Sequence, residues 1–279
     1  REAGAKPVFA DIEIDSWTID SNAFQKKITN NTKAIIVVHL YGQPARMDNI
    51  IKIAKKYKIK IIEDAAASIG ATWKGIKCGN FGSFSAFSFQ GAKLVVTGEG
   101  GMLVTNDTKL YKKAYKIWNQ GRNSNKQFWI DERGVKYKMS NLQAALGLSQ
   151  IQRVEEQIQM KRRIFSWYSK YLKDVKEIRL NREVKNSKSI YWMTSILINK
   201  NSKIKRDKLI KYLTKYKIDT RTVFPSLSIF SIWHKKFKSP KNSINVSQNA
   251  INLPSGVNLT EMDVAYICNK IKEVFKKND

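Results

Sequence analysis

From its start to about residue 120 the chain alternates short β-branched apolar runs with segments of helical periodicity, and few folds accept that alternation. Each run is long enough for one strand, and the helical segments between them cover a sheet, so the pattern predicts an α/β domain with a mostly parallel sheet. Strands are expected at Pro7 to Ile12, Ala34 to Leu40, Ile59 to Ile62, Phe84 to Phe89 and Met102 to Thr105. Between the second and third, Ile50, Ile51, Ile53, Ala54 and Tyr57 fall at helical spacing.

From Ser140 the character changes. Leu142, Ala145, Leu146, Leu148, Ile151 and Val154 continue at helical spacing into a charged segment that reaches about Tyr171, with Ser140 as the N-cap. One helix of that length joins two domains. The remainder reads as a strand (Ser189 to Ile198), a Lys-rich helix (Arg206 to Tyr216), a strand (Ile218 to Arg221), an irregular aromatic stretch (Val223 to Phe237) and a last helix (Glu261 to Phe275). A large domain over 1–150 and a linking helix with a small α+β domain over 151–279 follow.

The balance of 51 Lys plus Arg against 23 Asp plus Glu gives a net charge of +28. Such a field draws anions, nucleic acid among them. The excess, however, is mostly lysine spread along the whole length, with no zinc-finger or helix-turn-helix spacing, which argues against nucleic acid and for solvated helix faces. A phosphate-bearing substrate remains compatible with it. The uncharged apolar stretches, such as Ala34 to Gly42, stop short of the roughly 20 residues that a membrane-spanning helix needs. The two cysteines, Cys78 and Cys268, fit a reducing compartment, hence the cytoplasm. His39 and His234 are the only histidines, too few for a His-rich metal site. The opening residues form no signal peptide and begin without Met, so the chain reads as a fragment.

Three segments carry candidate chemistry. In Ile61 to Ala71 an apolar strand ends in Glu63 and Asp64, where ligands of parallel sheets sit. The same acids would also suit a helix N-terminus. In Phe84 to Met102, Lys93 lies between apolar segments and is followed by GEGG. A lysine in apolar surroundings has the lowered pKa that Schiff-base chemistry needs, whereas a lone lysine in so basic a chain is ordinarily solvated. Gly98, Gly100 and Gly101 permit a tight turn but do not make a phosphate loop by themselves. In Gly134 to Gln150 a polar, basic approach leads into the long helix.

Taken in order, IVVHLYGQP (Ile36 to Pro44), IEDAA, FSFQGAK, TGEGGMLVTND, KYKMSNLQAALGLSQ and LPSGVNLT (Leu253 to Thr260) resemble the DegT/DnrJ/EryC1/StrS sugar aminotransferases. The resemblance implies the PLP-transferase fold type I and pyridoxal 5'-phosphate as cofactor. FSFQGAK, YWM (Tyr191 to Met193), IDTR (Ile218 to Arg221) and LPSGVNLT are most similar to members that aminate a 4-keto-6-deoxy sugar carried on GDP. By that resemblance Lys93 matches the lysine that carries the cofactor and moves a proton between substrate carbon and cofactor. Asp64 matches the carboxylate that pairs with the pyridine nitrogen, and Ser88 the hydroxyl on the cofactor phosphate. Lys136 stands where many members place an Asn that reaches the neighbouring subunit's phosphate, which implies a homodimer. Arg221 and His234 are candidate substrate contacts, Arg221 equally a structural ion-pair residue.

Ala67 is a departure, because many members carry a hydrogen-bonding residue there. Members also have roughly 80 further residues ahead of GAKPVF, including a helix N-terminus for the cofactor phosphate. The expected reaction is amino transfer from glutamate to a nucleotide-linked keto sugar with ping-pong kinetics. The alternatives are a truncated inactive relative or a basic binding protein. A third, the sugar-dehydratase branch, replaces the anchoring lysine with His, and Lys93 argues against it.

Overall fold

The computed structural model describes residues 2–233, 237 and 240–276. Asp20 caps the short helix α1 (Ser21–Gln25), accepting from the amides of Asn22 and Ala23. The β-branched run that follows makes strand β1 (Ala34–Val38). Helix α2 (Met47–Lys56) buries Met47, Ile50 and Ala54 on one face and returns the chain to β2 (Lys60–Asp64). A small hairpin, β3 (Thr72–Trp73) and β4 (Ile76–Lys77), precedes β5 (Phe84–Ser88) and β6 (Gly101–Val104). Helices α3 (Thr108–Trp118), α4 (Asn141–Ile151) and α5 (Val154–Tyr171) follow. The rest comprises β7 (Ile178–Leu180), β8 (Ser187–Lys188), β9 (Ser195–Ile198), α6 (Arg206–Lys215), β10 (Arg221–Thr222), α7 (Lys241–Asn249), β11 (Ala250–Asn252) and α8 (Glu261–Lys276).

The main sheet runs β1-β2-β5-β6, with β1, β2 and β5 parallel. Val38 lies opposite Asp64, and Asp64 opposite Ala86, so the carboxyl ends of the three parallel strands are aligned at one edge. Strand β6 departs from the expected parallel pattern, being antiparallel to β5. The connection from Phe89 to Gly100 contains no crossover helix, which a parallel return requires. Gly98 (φ +79°) and Gly100 (φ +145°) supply the reversal.

Other boundaries shift for similar local reasons. The strand expected at Pro7 to Ile12 shrinks to a single bridge between Ile12 and Ile19, closed by a tight loop in which Glu13 N–H donates to Thr18 O. The long helix is two helices, because Arg153 leaves the helical region (φ −107°, ψ 8°) between α4 and α5. Ser140 does cap α4, sharing a reciprocal capping box with Gln143. The strand expected from Ser189 begins only at Ser195, since Tyr191 takes a left-handed φ of +47° and Ile190 N–H bonds to Gly42 O instead. The strand expected at Ile218 to Arg221 is reduced to Arg221–Thr222.

The second sheet, β10-β11-β9-β7, is antiparallel throughout and covered by α5, α6 and α8 around Ile196, Leu209, Leu213, Val264 and Ile271. A separate core fills the first part, around Val37, Met47, Ile50 and Trp73. A third cluster draws Trp17, Tyr41, Leu94, Ile158, Trp192, Val223 and Val246 together from both parts, and β3 pairs with β8 across them.

One buried carboxylate organises the main sheet. Glu63, fully buried on β2, accepts hydrogen bonds from His39 Nε2, the amides of Gly79, Phe81 and Gly82, and Ser85 Oγ, at 2.7 to 3.0 Å. His39 Nδ1 accepts from Ala45 N–H, so the ring proton sits on Nε2 and is donated to Glu63. The loop comes this close only because Gly79 (φ +100°) and Gly82 lack a Cβ, which would meet the Phe87 ring at 2.4 Å and Phe84 O at 2.7 Å. Burial alone would raise the Glu63 pKa, but the bonds from His39, Gly79 and Ser85 outweigh it and hold it at about 2.

Because that value lies below the ordinary 4.5, the stabilisation is complete above about pH 4.5 and drains away as pH falls toward 2. It amounts to about 3 kcal/mol. Glu63→Gln places an amide against these N–H donors and is expected to lower stability by about 3 kcal/mol at neutral pH. Urea unfolding measured from neutral pH downward is expected to show the gap between wild type and variant closing in acid.

Candidate active site

The aligned strand ends bring together the residues that the sequence singles out. Asp64 is the last residue of β2 and Ser88 the last of β5, and Lys93 lies in the loop that β5 feeds. Asp64 Oδ1 accepts from Ala66 N–H at 3.1 Å, and Oδ2 has no hydrogen bond among the described residues. The carboxylate lines a cavity of about 390 Å³ together with Val38, Tyr41, Val223, Phe224 and Ser226.

Lys93 is held by its loop. Its amide donates to Gln90 O at 2.8 Å, the Gln90 side chain accepts from Ala92 N–H at 2.9 Å, and Thr97 N–H donates to Phe89 O at 2.8 Å. Leu94 and Val95 turn into the core behind it. The Lys93 ammonium is half-buried, lies 4.2 Å from the centre of the Trp192 ring and makes no ion pair among the described residues. Burial pushes its pKa down, and the Asp64 carboxylate draws it partly back. An amine with lowered pKa, an open carboxylate and the Ser88 hydroxyl form a donor set that fits pyridoxal phosphate: a carbon-bound partner, a partner for a ring N–H, and a phosphate donor. Ser88 Oγ takes only a 3.4 Å bond from Gln90 N–H, so it is free to turn.

The remaining candidates lie elsewhere. Lys136 is exposed and bridges Asn119 beside a separate cavity of about 1140 Å³ under β6 and α3. Arg221 is exposed on β10, without an ion pair among the described residues; Val223 and Phe224, just beyond it, are the ones that reach the cavity beside Asp64. His234 lies outside the described residues. Ala67 packs against the cluster that joins the two parts and offers no hydrogen bond. His39 is a fully buried partner of Glu63.

Sequence reasoning missed the aromatic wall. Phe224, Tyr41 and Trp192 form a stack with centroid spacings of 5.5 and 6.0 Å. Tyr41 OH accepts from Phe224 N–H at 3.0 Å, and the Trp192 indole N–H donates to Ala92 O at 2.8 Å. The motif YWM carried the signal, but its partners come from three distant segments.

Among the described residues no helix is long and apolar enough to cross a membrane. The chain matches the DegT/DnrJ/EryC1/StrS aminotransferase family over residues 1–272. It is 37% identical to GDP-perosamine synthase of Escherichia coli O157:H7 over 275 residues, covering 99% of this chain and 74% of that protein. It is 35% identical to GDP-perosamine synthase of Vibrio cholerae, with 98% and 75% covered. Among solved structures, Helicobacter pylori PseC, an aminotransferase involved in the biosynthesis of pseudoaminic acid, superposes with a TM-score of 0.93 at 26% identity, covering 99% of this chain and 75% of that one. An aminotransferase of the same family from Brucella abortus gives 0.87 at 27%, covering 98% and 74%. With its mixed sheet, its lysine loop and this match along nearly the whole chain, the protein belongs to the DegT/DnrJ/EryC1/StrS aminotransferase family.

Proposed function

We propose that the chain transfers an amino group to a 4-keto-6-deoxy sugar carried on GDP, with glutamate as the donor and pyridoxal phosphate as the cofactor. The observation that carries this reading is Lys93: a half-buried amine with no ion pair among the described residues, electrostatically coupled to Asp64 at the carboxyl edge of the sheet. The sugar class is supported by the two GDP-perosamine synthases, and the glutamate donor by the family resemblance alone.

When bound, pyridoxal phosphate supplies an electron-withdrawing ring that stabilises the charge left by breaking a C–H bond. The residues of this chain do the rest. Burial lowers the Lys93 pKa, which favours the free amine that would attack the cofactor and would then take and return the substrate carbon's proton. The Asp64 carboxylate would hold the ring N–H, and the Ser88 hydroxyl would donate to the phosphate. Lys136 is assigned to a phosphate across a twofold homodimer interface, Arg221 to the sugar diphosphate, and His234 to the substrate side. The homodimer is supported by an unusually open apolar surface: α3 and α4 bury no residue, and Leu142, Phe128 and Tyr137 are 85%, 90% and 78% exposed. The working division is a large domain over 1–150 and a small one over 151–279, supported by their separate cores. The two free, buried cysteines favour the cytoplasm.

Added pyridoxal phosphate followed by borohydride is expected to leave its adduct on Lys93, located by mass spectrometry; adducts scattered over surface lysines would instead point to a basic binding protein. Lys93→Ala is expected to lose at least ~10³-fold in turnover of GDP-linked keto sugar. Asp64→Asn is expected to keep the adduct on Lys93 while turnover falls ~10²- to 10³-fold, since it removes charge and little binding. Light scattering is expected to give a dimer that Leu142→Glu dissociates.

A further inference from the structure

Trp192 touches the lysine loop in two independent ways. Its indole N–H donates to the carbonyl of Ala92, the residue just before Lys93, at 2.8 Å. Its ring face lies 4.2 Å from the Lys93 ammonium. The indole is 6% exposed, so an unsatisfied N–H there would be costly, and Ala92 O satisfies it.

Trp192 is itself fixed from behind. Tyr41 stacks on it at 6.0 Å with an interplanar angle of 22°. Lys161, buried on α5, donates through Nζ to the Trp192 carbonyl at 3.0 Å and to the Ser255 carbonyl. Burial brings Lys161 down to about 8, and among the described residues its ammonium is held by these two carbonyls without a counter-ion. The path therefore runs from α5 through the Trp192 backbone and indole to the backbone and side chain of the lysine loop.

We propose that Trp192 is the positioning residue for Lys93, its indole N–H clamping the carbonyl that precedes the lysine while its ring face seats the ammonium toward Asp64. The clamp rests on the reading of Lys93 as the cofactor-bearing lysine. It fixes both ends of a long side chain that would otherwise sample water, so the amine starts within reach of its reaction partner.

Competitive acetylation with trace acetic anhydride between about pH 7 and pH 11, read residue by residue on the full chain by mass spectrometry, gives the titration midpoint of Lys93 against those of surface lysines. Trp192→Phe keeps a ring but loses the N–H. It is expected to raise the Lys93 midpoint by about half a unit or more, as the released amine swings into water. The yield of borohydride-trapped pyridoxal phosphate at Lys93 is expected to fall about tenfold. Tyr41→Leu, which removes the ring stacked on the indole, is expected to move the midpoint the same way, and it carries the test if Trp192→Phe does not fold. A folded variant that melts lower with the Lys93 midpoint unmoved overturns the clamp and leaves Trp192 as packing. Wild-type adducts on lysines other than Lys93 overturn the cofactor reading, and the acetylation midpoint still decides the clamp.

Discussion

A carboxylate with five hydrogen bonds and no exposure is the joint on which the main sheet turns. Glu63 reaches the end of β1 through His39, β5 through Ser85, and the loop leading to β5 through the amides of Gly79, Phe81 and Gly82. An unpaired charge in that position would be untenable, so the surrounding segments have one arrangement in which they satisfy it. The arrangement sets the register between β2 and β5, and with it the separation of Asp64 from the loop that carries Lys93. Two glycines make the approach possible by having no Cβ where the loop crosses a ring and a carbonyl.

The site built on that joint separates its charges by environment. Glu63 and Asp64 are neighbours on one strand with opposite faces and opposite fates: Glu63 is saturated by donors, whereas Asp64 keeps one oxygen open toward a cavity. Lys93 sits where burial and a carboxylate act against each other, with burial the stronger, so its pKa is lowered. The aromatic wall of Phe224, Tyr41 and Trp192 closes one side, and the Trp192 ring face lies 4.2 Å from the Lys93 ammonium.

Asp64 drew notice because it stands at a strand end, where a parallel sheet places ligands, whereas Ser88 and Lys93 gained their roles only through the likeness of FSFQGAK to the family. Ser140 was legible because a cap is a local device whose partner is three residues away. The misjudged elements share the opposite property. The break at Arg153, the short β9 and the antiparallel β6 depend on what the segment meets across space, and periodicity carries no record of that. Glu63 was read only as a companion of Asp64, since its five donors come from positions up to 24 residues away. Trp192 stood inside a quoted motif, yet its contact with Ala92 spans 100 positions.

The sequence by itself determined the α/β class, the sheet's carboxyl edge and the residue types gathered there, because strand alternation, helical spacing and caps are set by neighbours along the chain. Tertiary structure alone decided which acid is saturated and which stays open, how deeply Lys93 sits, and that an indole from the second half of the chain closes over it. Those outcomes depend on burial and on hydrogen bonds between distant segments, and both exist only once the two halves have packed together.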